Sequence, residues 1–239
     1  MDPGRAVSDQ AMSDQMYIQA LGLALDPAWR RLSDAERHQD GCDFRAAYAD
    51  VDRDGGRTLS YSSIGLEPGV DILLWRMAPS MEALEASVAP LLRAGLGRWL
   101  SVTHSLIGRI GPSQYVRKPT EQEQSLFTGD RSAYLIVYPF TKSTEWYLLG
   151  KEARQGVMNE HMRVGHDYPT VRQLLAYSFG LDSQDFVVAY ETDDLVAFGD
   201  LVRALRSTES RRSTVNDTPI LLGIHRPIDE ILGLLGAAS

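Results

Sequence analysis

The stretch DFVVAYETDD (residues 185–194) repeats a pattern found 114 residues earlier as DILLWRMAPS (residues 71–80). Both begin with an aspartate and continue as a short apolar run, which is typical of a buried strand. The same offset, without a gap, pairs apolar residues farther along the chain: Leu84 with Phe198, Leu91 with Leu205, and Leu106 with Ile220. A constant offset between matching positions indicates an internal duplication.

The two halves of the chain contain the same order of expected elements. In the first half, strands are expected at 16–25, 58–66, 70–79 and 98–110, with a helix after Asp26-Pro27 and another at 80–97. The second half repeats the order, from AYLIVYPFTK to TPILLGIHR. The order β-α-β-β-α-β is that of a ferredoxin-like unit, an antiparallel sheet with helices on one face. We therefore predict an α+β fold of two ferredoxin-like repeats, a dimeric α/β barrel.

Composition along the chain predicts where these repeats begin and end. Residues 1–15 are polar and are expected to be disordered, and residues 16–111 form the first repeat. Residues 112–130 are rich in Pro, Gly, Gln and Ser, which is typical of a linker. Residues 131–239 are then the second repeat.

Overall composition limits the classes of function. The chain has 239 residues, of which 44% are hydrophobic and 23% charged, as in ordinary globular proteins. Its one cysteine, Cys42, excludes an intrachain disulfide or a thiolate cluster and favours a cytoplasmic location. No segment resembles a signal peptide or a membrane span. A net charge of −8 argues against non-specific nucleic-acid binding, so an anionic ligand requires a local basic cluster.

Two of the five histidines lie in one expected helix, in NEHMRVGHDYPTVRQ (residues 159–173). Five residues on a helix correspond to about 500° of rotation, so His161 and His166 point about 140° apart. His161 shares its side with apolar or small residues: Val157, Val164 and Gly165. It is therefore the inward candidate, either as a core histidine bonded to a carbonyl or as a ligand.

Alternation on the strand AYLIVYPFTK brings three side chains to one face: Tyr138, Phe140 and Lys142. An inward tyrosine and lysine have two explanations. Tyr138 could be an amphipathic core residue and Lys142 a solvated strand end. Alternatively, both project into a functional cavity.

Several runs in the second half resemble blocks of the chlorite dismutase-like haem proteins, a family that includes the coprohaem decarboxylases. These runs are YPFTKSTEWYLL, EHMRVGHDYPTV, YSFGLDSQDFVVAYETDD and LRSTESRRSTVNDTPILLG. The resemblance is specific from about residue 131 to 225; in the first half it rests on the repeat and on DILLWRMAPS. It implies that haem binds in the C-terminal repeat and that subunits form a homo-oligomer, usually a pentamer.

The same resemblance assigns roles to individual residues. The EH of the EHMRVG block makes His161 the proximal iron ligand, in agreement with the helical wheel. Tyr138 takes the place of the redox-active tyrosine of the decarboxylases, which is oxidised to a radical that attacks a propionate. Lys142 then holds or protonates that group, and Phe140 and Trp146 pack against the haem.

A distal residue above the iron distinguishes the two activities of the family. Dismutases have an arginine there, whose charge favours an oxychlorine anion. Gln173 matches this position, although its spacing from His161 is one residue shorter. Leu174 is the alternative if the gap lies elsewhere, and only Arg172 would restore an arginine. A neutral amide favours a peroxide-using decarboxylase.

The propionates of coprohaem require nearby cations in this acidic chain. Arg206 matches the family's propionate-binding arginine best, and Arg131 is a further predicted contact. For Arg203, Arg211 and Arg212 we keep the interpretation of a solvated charged face. The family often has a small hydroxyl residue where Arg211 stands, so this chain departs from the pattern there.

The resemblance therefore predicts a haem-dependent oxidoreductase. The expected reaction is the hydrogen-peroxide-dependent decarboxylation of two propionates of iron coproporphyrin III, giving haem b. Coprohaem is then both substrate and cofactor, and peroxide is the second substrate. Chlorite dismutase, which converts chlorite to chloride and dioxygen, is the first alternative. The second is a haem-binding or haem-transfer protein without turnover.

Overall fold

The computed structural model describes residues 16–52, 55–111, 115 and 130–237. The predicted disordered N-terminus lies outside the described residues, as does the predicted linker apart from Tyr115 and Asp130. The chain divides into two compact units. Unit 1 comprises residues up to 111 together with 222–239, and unit 2 comprises residues 112–221.

Strands and helices are distributed over both units. The strands of the described residues are β1 (Tyr17–Leu25), β2 (Arg57–Glu67), β3 (Val70–Ala78), β4 (Leu100–Arg109), β5 (Tyr134–Lys142), β6 (Arg172–Tyr177), β7 (Phe186–Thr192), β8 (Thr214–Asn216) and β9 (Leu221–His225). The α-helices are α1 (Asp34–Ala49), α2 (Met81–Leu91), α3 (Thr144–Leu148), α4 (Lys151–His166), α5 (Leu195–Arg206) and α6 (Ile228–Leu235). Short 3₁₀ helices span Pro27–Arg31, Gly95–Trp99 and Glu209–Ser213. Within these described segments, no helix has the length and apolar character needed to span a membrane.

Unit 1 is an antiparallel sheet covered by helices around an apolar core. Its strand order is β4-β1-β3-β2-β9. The core contains residues from the strands, from two 3₁₀ helices, from α1 and α2, and from α6 and the residues after it: Leu21, Leu23, Leu25, Trp29, Phe44, Ile72, Leu74, Leu91, Leu96, Leu100, Ile228, Ile231, Leu232, Leu235 and Ala237. At Gly223 of β9, a Cβ would lie only 2.6 Å from the Cβ of Tyr61, so a glycine is required for the two strands to approach this closely.

The predicted second repeat, residues 131–239, is too long. β9 pairs with β2, and α6 buries Ile231 and Leu232 completely in the core of unit 1. Residues 222–237 therefore belong with unit 1. The apolar face of α6 explains this, because it adds to a core that the first-half helices leave incomplete.

Unit 2 is also antiparallel, with strand order β6-β7-β5-β8. Its helix α5 begins at an N-cap aspartate, Asp194, which accepts hydrogen bonds from two backbone amides. Helix α4 has no side-chain cap, and none of its residues is fully buried. Because both units combine helices with antiparallel strands, the structure supports the α+β class.

The element boundaries repeat with two offsets. β1 and β5, and likewise α1 and α4, begin and end 117 residues apart. Helices α2 and α5 begin 114 residues apart, as do the last two 3₁₀ helices. The segment between α1 and α2 is therefore three residues longer than the segment between α4 and α5. Asp71 and Asp185 make equivalent hydrogen bonds in the two units. Asp71 accepts a hydrogen bond from the amide of Leu25 at 2.7 Å, and Asp185 accepts one from the amide of Lys142 at 2.8 Å.

Candidate active site

A cavity that opens to solvent lies in unit 2, between its sheet and the helices α4 and α5. It brings together polar side chains from the sheet, the helices and the segment that follows α5. Its lining residues are Tyr138, Phe140, Lys142, Met158, His161, Val188, Tyr190, Val202, Leu205, Arg206, Ser210, Arg211, Thr214 and Asp217. Five residues predicted from the sequence are among them: Tyr138, Phe140, Lys142, His161 and Arg206.

Tyr138 reaches the cavity because β5 alternates its side chains, as predicted. It lies opposite Val188 of β7, and directly paired residues project to the same face of a sheet. Its ring stacks on Tyr190, with centroids 5.9 Å apart. Burial raises the pKa of the Tyr138 phenol, and a hydrogen bond with Tyr190 opposes this shift. Tyr138 is therefore a protonated phenol at neutral pH.

Lys142 is buried, with only 8% of its surface exposed, so it is not a solvated strand end. Its Nζ donates to the carbonyl and hydroxyl oxygens of Ser210, both at 2.9 Å, and to Oγ1 of Thr214 at 3.0 Å. The Nζ atom also lies 4.8 Å from the ring centre of Trp146. Burial, with repulsion from Arg211, lowers the pKa of Lys142 to about 8. At neutral pH the ammonium is charged and held by three acceptors.

His161 lines the cavity from α4, whereas His166 is exposed, as the helical wheel predicted. The buried Nδ1 atom of His161 has no hydrogen-bond partner among the described residues. Burial and the charge of Lys142 lower its pKa to about 4, and Glu160 opposes this shift. The imidazole is therefore neutral at physiological pH, which is the form that ligates a metal.

Two arginines and an aspartate form an ionic cluster at the cavity. Nη1 of Arg211 lies 2.6 Å from Oδ2 of Asp217, and Nη2 of Arg206 lies 4.0 Å from the same atom. Arg211, interpreted from the sequence as a solvated charge, is 39% exposed and also lines the cavity. Three further cavity residues are not predicted from the sequence: Asp217, Ser210 and Thr214. They follow α5 in a 3₁₀ helix, a three-residue strand and a loop, where no periodic pattern indicates which side chains point inward.

The register of β6 on β7 places the three candidates for the distal position on two faces of the sheet. Gln173 lies opposite Tyr190, and Arg172 lies opposite Glu191. Because Tyr190 lines the cavity, Gln173 projects to the cavity face of the sheet, although it does not line the cavity itself. Arg172 projects to the other face and pairs with Glu191 at 3.1 Å. Leu174 shares that other face and is buried.

Two predicted contacts lie away from the cavity. The side chain of Arg131 is 4% exposed and pairs with the buried carboxylate of Glu191 at 3.3 Å. Glu191 is on the face opposite Tyr190, so this placement contradicts the predicted propionate contact of Arg131. Trp146 is buried beside Lys142 and does not line the cavity, so packing against a haem stays a prediction.

The donor set of the cavity fits a haem-type ligand. The neutral imidazole of His161 would supply a nitrogen donor to the iron, and its unsatisfied buried nitrogen indicates an environment not completed by the described residues. Apolar walls suit a flat macrocycle: Met158, Val188, Val202 and Leu205. The stacked rings of Phe140 and Phe186, whose centroids are 4.6 Å apart, extend the apolar wall. The cationic side chains at one end suit acidic substituents.

Comparison with known proteins agrees with this fit. The chlorite dismutase family model matches residues 28–226. A coproheme decarboxylase from Mycolicibacterium smegmatis is 28% identical over 204 residues, which cover 84% of this chain and 87% of the relative. A chlorite dismutase from Ideonella dechloratans is 27% identical, covering 75% of this chain and 66% of the relative. The structure of chlorite dismutase from Candidatus Nitrospira defluvii in complex with imidazole superposes with a TM-score of 0.85 at 28% identity, covering 95% and 99% of the two chains. This chain therefore belongs to the chlorite dismutase family of haem-dependent enzymes.

Proposed function

We propose that this protein catalyses the peroxide-dependent decarboxylation of iron coproporphyrin III to haem b. The observation that carries the proposal is Tyr138, a protonated phenol at the cavity wall beside the cations of Arg206 and Arg211. A phenol in that position can lose a proton and an electron close to a bound carboxylate. Chlorite dismutation does not require this combination of groups.

Each propionate that becomes a vinyl group loses carbon dioxide, one proton and two electrons. One hydrogen peroxide accepts the two electrons, together with that proton and one from solvent, and becomes two molecules of water, so each coprohaem consumes two peroxides. The bound iron porphyrin supplies the redox chemistry that couples peroxide to the protein.

The protein residues bind, orient and transfer protons. The neutral imidazole of His161 would hold the iron of the porphyrin, and Arg206 would bind a propionate. Tyr138 gives up its phenolic hydrogen and then takes the hydrogen from the propionate side chain. Lys142, whose ammonium is fixed by Ser210 and Thr214, orients that propionate or returns a proton. Gln173, which projects to the cavity face of the sheet, would offer a neutral amide to peroxide.

Chlorite dismutase is the second candidate, because a chlorite dismutase is 27% identical to this chain. Dismutation depends on a cation over the iron that attracts the oxychlorine anion. The one arginine proposed for that position from sequence, Arg172, is paired with Glu191 on the face opposite the cavity. The position of Arg172 therefore favours decarboxylation.

The test is to titrate the protein loaded with iron coproporphyrin III with hydrogen peroxide and follow the porphyrin by mass. Stepwise loss of two carboxyl groups is the expected result. Unchanged coprohaem together with dioxygen release from chlorite would favour the dismutase. Inertness in both assays, with retained porphyrin binding, would favour a haem-transfer protein.

Two further properties remain proposals that rest on the family resemblance. We infer that both units are ferredoxin-like repeats, supported by their matching element boundaries. We also infer a homopentamer. Native mass spectrometry of the purified protein tests the oligomer, and a mass of five subunits is the expected result.

A further inference from the structure

Asp217 is an acidic side chain in a cavity whose proposed ligand is itself strongly anionic. It is only 24% exposed, and its carboxylate lies 2.6 Å from Arg211 and 4.0 Å from Arg206. A carboxylate in this position repels the acidic groups of a ligand and competes with them for the arginines. Asp217 therefore weakens the binding of an anionic ligand unless it has a compensating role in the site.

The ionic cluster lies next to the reactive groups of the cavity. The charge of Asp217 raises the pKa of the Tyr138 phenol, whereas those of Arg206 and Arg211 lower it. Arg211 also lowers the pKa of Lys142. The carboxylate that pairs with Arg211 is thus close to the phenol that is proposed to attack a propionate.

We propose that Asp217 is the alternate counter-ion of Arg211. It pairs with Arg211 when no ligand carboxylate is present, a propionate of the substrate displaces it, and it pairs again once that propionate has become a vinyl group. This inference rests on the proposed function, since it concerns the carboxylates of the same porphyrin substrate.

The exchange follows from the cost of an unpaired charge. A partly buried guanidinium without an anion is destabilised by desolvation. A propionate compensates the guanidinium, but a neutral vinyl group does not. Because Asp217 can take over that role, a porphyrin whose propionate has been converted remains compatible with the site. Asp217 therefore reduces the preference of the cavity for a tetracarboxylate over a dicarboxylate porphyrin.

Equilibrium binding measures this preference without any turnover. Metal-free coproporphyrin III, with four carboxylates, and metal-free protoporphyrin IX, with two, are titrated by fluorescence into the wild type and Asp217→Asn. The ratio of the two affinities should shift about fivefold toward coproporphyrin in Asp217→Asn, the change expected for about 1 kcal/mol of a partly exposed ion pair. The matched control is Asp200→Asn, which breaks an arginine–aspartate pair of α5 that does not line the cavity and should leave the ratio unchanged.

A double-mutant cycle assigns the effect to Arg211. In the background Arg211→Gln, adding Asp217→Asn should no longer change the ratio, because the guanidinium that Asp217 neutralises is gone. Thermal unfolding of each variant verifies the fold, and Asp217→Ser provides a second test of the same carboxylate.

The outcomes separate this inference from the proposed function. If the wild type binds coproporphyrin but both Asp217 variants keep its affinity ratio within twofold, Asp217 is not an alternate counter-ion, and the proposed function is unaffected. A shift that persists in the Arg211→Gln background also overturns the inference. If the wild type binds neither porphyrin, the proposed function and this inference both fail.

Discussion

Units 1 and 2 share an order of elements, yet one is filled with apolar side chains and the other holds a cavity. At positions 117 residues apart, the core residues of unit 1 correspond to cavity residues of unit 2: Leu21 to Tyr138, Leu23 to Phe140, Leu25 to Lys142 and Phe44 to His161. The same backbone arrangement therefore accommodates either a packed core or a polar site. The chemistry depends on a few inward positions, not on the fold.

The exchange of apolar for polar residues is coordinated. In unit 1, Leu25, Leu96 and Leu100 belong to one apolar cluster. Their counterparts in unit 2 are Lys142, Ser210 and Thr214, in which the ammonium donates to both hydroxyl oxygens. A buried lysine is tolerated because its acceptors are supplied at the matching positions. The lysine and the two hydroxyl residues therefore form one set of changes, in which the acceptors compensate for the buried charge.

The largest expected effect is the loss of decarboxylation when the cavity of unit 2 loses its phenol. Tyr138→Phe should keep coprohaem binding similar to wild type but reduce decarboxylation by at least about 10³-fold, or about 4 kcal/mol in the barrier, because phenylalanine has no phenolic hydrogen to give up. Product masses after peroxide addition measure the loss. Tyr147→Phe, which removes a hydroxyl bonded to Asp185 outside the cavity, is the control and should stay active. Haem b formed by Tyr138→Phe at a near-normal rate would rule out the radical role.

The next prediction compares the matched positions 44 and 161. Phe44 is completely buried in the core of unit 1, so Phe44→Ala should lower the free energy of unfolding by about 3–5 kcal/mol. His161 lines an open cavity, so His161→Ala should cost the ligand-free protein less than about 1 kcal/mol. Urea unfolding of both variants measures the difference. Equal losses would mean that His161 is a packing residue like its counterpart.

A third prediction concerns ligand binding by the same histidine. His161→Ala should weaken coprohaem retention by at least about a hundredfold, since altering even the outer partners of a metal ligand can cost that much. The ferric Soret band should change with it. His166→Ala on the exposed side of α4 is the matched control and should leave both affinity and spectrum unaltered. Loss of the spectrum in the His166 variant instead would mean that His161 is not the axial ligand.

The last prediction is a pH dependence of stability. Burial lowers the pKa of Lys142 from 10.5, the ordinary value for a lysine, to about 8. Between these two values the unfolded chain binds more protons than the folded one, so the free energy of unfolding contributed by Lys142 rises with pH. The wild type should thus gain stability relative to Lys142→Met from pH 8 to 10.5. A difference that does not vary with pH would show that the ammonium stays protonated across this range.

Much of the site could be predicted where regular elements carry it. The period of two on β5 correctly brought Tyr138, Phe140 and Lys142 to one face, and helical geometry separated His161 from His166. Both inferences depend only on backbone repeats that the sequence displays.

The remainder depended on information that these repeats do not carry. Arg211 and Asp217 lie beyond the end of α5, where a charged residue in sequence is equally compatible with solvent or with a cavity. Arg131 was assigned to the ligand by charge, although its partner Glu191 is distant in sequence. The offset is 114 for the later elements and 117 for the earlier ones, because the segment between α1 and α2 is three residues longer than the segment between α4 and α5.

Helix α4 carries His161 without burying any of its own residues completely, unlike α1, its counterpart in unit 1, which buries Phe44. Few buried contacts place a segment at the low end of local unfolding free energies. In the ligand-free protein, the amides of α4 should therefore exchange with deuterium faster than those of α1. A ligand bound through His161 would stabilise the helix by mass action and slow that exchange. The helix that carries the proposed iron ligand would then be stabilised against local unfolding as the ligand binds, so hydrogen exchange would report both affinity and local stability.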